Sequence, residues 1–185
     1  MDLWDLKSAR AIRTFDPPVQ PVRFQAFEFV SANRLVAVVN EFELQFLDLD
    51  TGTPTLLIDA ARSIPGSPHF SLSALAVSAD QRRIAVAGMR MSSRPGVFAP
   101  AGDAVFDVPV RGEVQIWDAE SGKLLKTLAG RADEKFLRVA LDPKGERVAA
   151  AAAGIRYRRN MSAAMQQSAE LRPAQPVRIS VWTSP

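Results

Sequence analysis

An internal repeat is the feature that most constrains what this chain can fold into. One segment near the start recurs three times, and the last copy is shortened. Each copy carries an apolar residue, usually Trp, ahead of a polar residue, and the full copies continue into a turn rich in Ser, Thr, Gly and Lys. The copies are LWDLKSARAIRTF at 3–15, FLDLDTGTPTLLI at 46–58, IWDAESGKLLKTL at 116–128 and ISVWTSP at 179–185. This pattern predicts a strand, a tight polar turn and a second strand in each full copy.

Side chains within these copies alternate with a period of two. Val114 and Ile116 flank the polar Gln115, which is the spacing of residues that share one face of a β-strand. The pairs Thr51-Gly52 and Ser121-Gly122 supply residue types that favour tight turns. We therefore expect pairs of strands joined by short turns.

A second repeat lies between the copies of the first. It consists of an apolar strand, a charged turn and a nearly uniform apolar run, which is typical of a strand buried on both faces. Its members are FEFVSANRLVAVV at 27–39, LAVSADQRRIAVAG at 75–88 and VALDPKGERVAAAAAG at 139–154. Asp80 and the segment Asp142-Pro143-Lys144-Gly145 mark the turns. Two hairpins in each unit predict a four-stranded antiparallel sheet.

The chain resembles the WD-repeat β-propeller family over essentially its whole length. The resemblance is carried by Trp4-Asp5, by Trp117-Asp118 and by the turn at 142–145. The interval from Trp4 to Leu47 is 43 residues, and one blade of this family takes roughly 40 to 45. The resemblance implies an all-β fold, a β-propeller built of four-stranded antiparallel blades.

The number of blades predicts an incomplete ring. The strands in order amount to the last two of one blade, then four, four and three, whereas propellers close with roughly four to eight blades. The chain is expected to be a fragment, a split product or a protomer completed by another chain, with a closed four-blade ring as the alternative. Open edges of this kind invite self-association or further blades. The single partial propeller spans 1–185, with blade units at about 1–15, 22–58, 71–128 and 136–185.

Two insertions separate the later copies of the repeat, at 89–112 and 155–176. Both fall between the second and third strands of a blade, so they are expected to emerge on the same face of the disc. Loops longer than about 12 to 15 residues are usually functional or disordered. We therefore predict that a protein partner binds this insertion-bearing face. The alternative for the first insertion is a loop that folds on its own propeller.

The candidate partner-binding residues lie in these insertions. The excess positive charge is concentrated after residue 149, where five arginines face Glu170 alone. The second insertion begins with a cluster of basic residues, and the first insertion contains two phenylalanines. The predicted contacts are Arg156, Tyr157, Arg158, Arg159, Phe98 and Phe106. The basic cluster suits an acidic protein surface, while solvated loop charge, nucleic acid and a membrane surface are the alternatives.

Other recurring residues are interpreted as structural. Trp4, Trp117 and Trp182 recur with the repeat and are expected to pack between blades, while Asp5 and Asp118 end strands at turns. The resemblance implies that His69 is related to the histidine that locks blades in many members. The third unit departs from that polar lock, because Ile84–Gly88 contains no hydroxyl residue. Apolar packing at roughly 25 cal/mol per Å² of buried surface is expected to replace it.

Composition excludes most catalytic and metal chemistry. The chain has no cysteine and one histidine, which excludes disulfides, a cysteine nucleophile and a multi-histidine zinc site. It has no glycine-rich phosphate loop and no GxSxG motif, so we expect no metal or cofactor and no enzyme activity. A hydrolase-like propeller enzyme using Asp103 or Asp107, and nucleic-acid binding through Arg156–Arg159, are the alternatives.

No apolar stretch reaches the roughly 20 residues of a membrane helix, and the start lacks a secretory signal pattern, so a cytoplasmic protein that does not bind membranes is expected.

Overall fold

The described part of the chain consists of β-strands joined by turns. The computed structural model describes residues 2–15, 23–60, 69–95, 105–132, 134–154 and 178–183. Within these ranges no helix is long and apolar enough to cross a membrane. The strands are β1 (Asp2–Asp5), β2 (Arg10–Thr14), β3 (Phe24–Ser31), β4 (Arg34–Val39), β5 (Glu43–Asp48), β6 (Pro54–Asp59), β7 (His69–Val77), β8 (Arg83–Pro95), β9 (Val105–Asp118), β10 (Leu124–Ala132), β11 (Glu134–Leu141), β12 (Arg147–Gly154) and β13 (Arg178–Thr183).

The strands form four antiparallel sheets, and within each sheet every strand pairs with the next one in sequence. Sheet 1 contains β1 and β2, sheet 2 contains β3 to β6, sheet 3 contains β7 to β10, and sheet 4 contains β11 to β13. The sheets do not close into a ring. The prediction of an all-β fold with four-stranded antiparallel sheets and an incomplete ring is confirmed.

Apolar side chains between successive sheets hold the structure together. The second strand of each four-stranded sheet contributes to two interfaces, because successive side chains point to opposite faces. In β4, Leu35 and Ala37 pack toward sheet 1, while Val36 and Val38 pack toward sheet 3. These residues are at most 3% exposed. A strand covered on both faces explains the nearly uniform apolar runs of the second repeat.

The same alternation continues in sheet 3. Ile84 and Val86 of β8 join the cluster shared with sheet 2, while Ala85 and Ala87 join the cluster shared with sheet 4. Phe136 of β11 is fully buried in that second cluster. Full burial of a large apolar side chain such as phenylalanine stabilises the folded state by roughly 1.5–3 kcal/mol. The stacking of sheets is therefore driven by apolar burial.

The first insertion continues the sheet as a long hairpin. β8 and β9 contain 13 and 14 residues and stay paired as far as Pro95 and Val105. The neighbouring strands end earlier, since β7 begins opposite Met91 and β10 ends opposite Arg111. Residues 92–95 and 105–110 therefore form a two-stranded arm. The second insertion, 155–176, lies outside the described residues.

Candidate functional site

The arm formed by residues 92–95 and 105–110 is the described part of the predicted partner-binding face. It projects beyond the strands that flank it, and no other described strand pairs with its outer edges. Val110 at its base is 41% exposed. Free strand edges and exposed apolar side chains are features of surfaces that pair with other chains. The arm is therefore a candidate interaction element.

A buried ion pair lies at the base of the arm. Arg90 of β8 donates from Nε to Glu113 Oε2 at 3.1 Å and from Nη2 to Glu113 Oε1. Glu113 is completely buried and Arg90 is 4% exposed. Removing one partner of such a pair typically costs about 3–5 kcal/mol, because the other charge stays buried without compensation. The pair therefore fixes the register of the two strands that continue into the arm.

Further side chains complete the surroundings of Glu113. Gln115 donates from Nε2 to Glu113 Oε1 at 3.2 Å, and Arg111 Nη2 lies 3.8 Å from Glu113 Oε2. The guanidinium of Arg90 lies 5.2 Å from the centre of the Phe70 ring. Two guanidinium groups thus surround one carboxylate, and the base of the arm carries a positive charge.

The close approach of β7 to β8 depends on a glycine. β7 has an irregularity between Leu72 and Ala74, which brings its backbone against Gly88. A Cβ atom at Gly88 would overlap the Ser71 carbonyl oxygen. Gly88 therefore allows β7 to approach β8 closely at this point, and no other residue type fits there without a backbone shift.

Most of the predicted partner-binding residues lie outside the described ranges. This applies to Phe98 and to the cluster Arg156, Tyr157, Arg158 and Arg159. Phe106 lies in the arm, where its backbone pairs with Arg94, and its side chain is not described. The insertion face is thus represented by the arm and its base, and the contact residues remain predictions.

The three tryptophans occupy different environments. Trp117 is 4% exposed and packs between sheets 2 and 3, and Trp182 lies edge-on to Phe136 with ring centres 5.7 Å apart. Trp4 is 56% exposed and no described sheet covers the outer face of sheet 1, so its packing between blades stays a prediction.

Among the described side chains Trp117 has no polar lock, as its sequence neighbours indicate. Its indole Nε1 is buried without a hydrogen-bond partner in the described part of the chain. The residue opposite Trp117 on β8 is Ile84, which has no polar atom to accept a hydrogen bond. The backbone of His69 begins β7 and pairs with Met91, and its side chain is not described.

The turn aspartates act as caps. Asp118 Oδ1 accepts hydrogen bonds from the Ser121 N–H at 2.8 Å and the Ser121 hydroxyl at 2.7 Å. Asp48 receives the same two bonds from Thr51, and Asp5 receives them from Lys7 and Ser8. These bonds lower the pKa of all three carboxyl groups. The aspartates stabilise turns and do not face one another.

One open groove of about 460 Å³ lies between the β3–β4 and β7–β8 turns, at the end of the sheets opposite the arm. Its walls contain apolar side chains with Ser31, Ser78 and Gln81, and no ionisable side chain. In the described ranges no three His, Asp or Glu side chains come together as a metal site. The groove therefore offers a contact surface without acid or base groups.

Comparison with known proteins identifies the fold of this chain. No protein-family model matches the chain, and no curated protein matches it. Among the solved structures that do match is the WD40 β-propeller domain of Doa1, with 17% sequence identity and a TM-score of 0.54. The similarity covers 80% of this chain and 39% of that chain, so this chain spans less than half of it. The chain therefore has the fold of a WD40-type β-propeller, in the form of a ring that does not close.

Proposed function

We propose that this chain is a non-catalytic protein-interaction scaffold that binds a protein partner on its insertion-bearing face. The observation that carries the proposal is the arm, whose two strands extend from sheet 3 past every described neighbouring strand, with a buried ion pair at their base. A base held by an ion pair and a hairpin with no described strand beside it allow a partner to add a strand to the arm without a large ordering cost.

The charge of the same face indicates the chemistry of the partner. Arg111 at the base of the arm has a side chain that is 44% exposed, and the second insertion adds Arg156, Arg158 and Arg159. An acidic protein surface complements this charge. The fold is also one that commonly presents loops to partners, which supports binding over catalysis.

The experiment is affinity capture from cells of the source organism with the full chain as bait. A variant with Arg156→Glu, Arg158→Glu and Arg159→Glu is expected to lose the captured partner. The matched control carries Arg82→Glu, Lys123→Glu and Lys144→Glu, which change the charge equally at exposed turns on the opposite face. The control is expected to retain the partner.

Two results would count against the proposal. Equal capture by both triple variants would remove the insertion face as the binding site. Capture of nucleic acid with a steep loss at rising salt would instead indicate binding through phosphate contacts.

A further inference from the structure

The groove between the β3–β4 and β7–β8 turns has a counterpart in the structure that is closed. Between sheets 3 and 4, the β7–β8 and β11–β12 turns meet directly, because the Asp80 N–H donates to the Pro143 carbonyl at 3.1 Å. We call this contact the closed junction, and we call the groove between sheets 2 and 3 the open junction. Both junctions are built from the second repeat, so the closed junction shows which contacts a chain segment makes at this place.

The turns of sheets 3 and 4 have the same internal structure, which fixes the correspondence between their residues. In each turn, the N–H of a residue with positive φ donates to a carbonyl three residues earlier. These bonds are Gln81 to Ser78 and Gly145 to Asp142, both at 2.9 Å, and the φ values of the two donors are 63° and 69°. Ala79 of sheet 3 therefore corresponds to Pro143 of sheet 4.

The turn of sheet 2 is two residues shorter than these two turns. Ser31 pairs with Arg34, so residues 32–33 form this turn, whereas residues 79–82 form the turn of sheet 3. The shorter turn has no counterpart of Asp80, the residue that donates across the closed junction. The segment that would close the open junction is therefore missing from the sequence of sheet 2.

A side chain also keeps the turns of the open junction apart. In the closed junction, a Cβ atom at Gly145 would lie 2.7 Å from Arg83 Cγ, so these turns approach so closely only because Gly145 has no side chain. The corresponding residues of the open junction are Gln81 and Arg34, and Gln81 carries a side chain. The short turn and this side chain together explain the groove of about 460 Å³.

Two groups at the open junction lack the contact that their counterparts make. The Ala79 carbonyl lies at the position that accepts the bond in the closed junction, and it accepts none from the described part of the chain. Arg34 lies over the Phe46 ring at 4.4 Å and has no carboxylate partner within the described ranges. Its counterpart Arg83 is near enough to the Asp80 carboxylate to attract it. Both missing contacts are ones that an aspartate at the position of Asp80 provides.

We infer that the open junction binds a tight turn of a protein partner, and that this turn carries an aspartate. The aspartate donates its backbone N–H to the Ala79 carbonyl and places its carboxylate beside Arg34, which pairs with the groove residue Ser31. These are the two contacts that Asp80 makes in the closed junction. The groove lies at the end of the sheets opposite the arm, so this inference stands or falls independently of the proposed partner binding.

The test uses a peptide that copies the chain's own turn. Residues 78–81, SADQ, are placed between two cysteines and closed by a disulfide, and the peptide is titrated into the isotope-labelled full chain, which has no cysteine. NMR is expected to show saturable shifts of the backbone amide signals of Ala32, Ala79 and Gln81. No shift at these residues, or shifts confined to the insertion-bearing face, would overturn the inference.

Two variants of the chain identify the groove as the binding site. Insertion of Asp-Gln between Ala32 and Asn33 restores a turn of four residues, and this variant is expected to lose the shifts because its own aspartate fills the site. Arg34→Met is expected to bind the peptide about two- to fivefold more weakly, which is the effect of one exposed ion pair. Arg147→Met, at the same repeat position in sheet 4, is the matched control and is expected to bind like the wild type. Wild-type affinity of the insertion variant or of Arg34→Met would contradict the inference.

A second test does not depend on the folding of the variants. A copy of the peptide with asparagine in place of its aspartate is titrated into the wild-type chain. It is expected to bind more weakly than the original peptide, with an affinity that depends less on salt, because it lacks the charge that faces Arg34. Equal affinity of the two peptides would remove the aspartate from the proposed recognition.

Discussion

Arg90 and Glu113 form an ion pair that is buried between sheets 2 and 3, with the carboxylate accepting N–H bonds from two nitrogens of one guanidinium. The pair lies where β8 and β9 leave the cover of their neighbours. A charge pair inside an otherwise apolar interface specifies one register for the arm, because any slip would leave both groups unpaired.

Removing one member of this pair is expected to destabilise the fold strongly. Glu113→Ala should lower the free energy of unfolding by about 3–5 kcal/mol, because the Arg90 charge stays buried. The double variant Arg90→Met with Glu113→Leu should lose much less, since it removes both charges and keeps the volume. Urea unfolding of Arg90→Met, of Glu113→Leu and of the double variant measures the coupling. Additive effects would mean that the pair is not coupled.

The Phe136 ring is expected to make Gly130 intolerant of any side chain. A Cβ atom at Gly130 would lie 2.8 Å from Phe136 Cε2 and Cζ, which real Cβ contacts do not show. Gly130→Ala should therefore cost about 1–3 kcal/mol through overpacking, as measured by chemical unfolding. Gly154→Ala is the matched control, because nothing lies within 4 Å of the added atom. Equal effects of both changes would refute a specific contact with Phe136.

Ala9 occupies a turn position that two other copies of the repeat fill with glycine. It follows Asp5 as Gly52 follows Asp48 and Gly122 follows Asp118, and its φ is 51° against 78° and 66°. A residue with a Cβ pays about 1–2 kcal/mol in this region, partly offset by the greater freedom of glycine in the unfolded chain. Ala9→Gly should thus stabilise the protein by up to about 1 kcal/mol, seen as a higher Tm. A lower Tm would show that the turn is not strained.

The turn aspartates predict a loss of stability in acid. Hydrogen bonds from Ser121 lower the pKa of Asp118 below its ordinary 3.8. A group with a lowered pKa in the folded state stabilises it above the unfolded pKa, and this contribution disappears as the pH falls through the folded pKa. As the pH falls from 5 to about 3, the wild type should lose this contribution. Its free energy of unfolding should therefore fall further than that of the Asp118→Ala variant. Glu120→Ala, in the same turn, is the control and should follow the wild type.

The order of the strands was predictable because two patterns in the sequence, the alternation of side chains and the turn residues, both indicate it. Alternation around Gln115 and the turn signals at Thr51-Gly52 and Asp142-Pro143 determine where strands begin and end, independently of the tertiary contacts. The exposure of Trp4 was not predictable, because its repeat position indicates only which face it occupies. Whether a sheet covers that face depends on the rest of the ring.

The ion pair was missed for a different reason. Arg90 and Glu113 look like solvent-facing residues of alternating strands, and their burial depends on the packing of sheet 2 against that face, which the alternation does not indicate. A signal does exist in the sequence. Glu113 and Gln115 share a strand face with Trp117, and polar residues that share a face with a repeated tryptophan indicate a buried polar group.

Site-specific photo-cross-linking tests the scaffold proposal most directly. A photoreactive phenylalanine analogue replaces Val110 at the base of the arm in one variant and Leu125 on the edge strand β10 in another; these residues are 41% and 43% exposed. The proposal predicts that the Val110 variant cross-links to a captured protein partner and that the Leu125 variant does not. Cross-linking from Leu125 with none from Val110 would contradict partner binding on the insertion-bearing face.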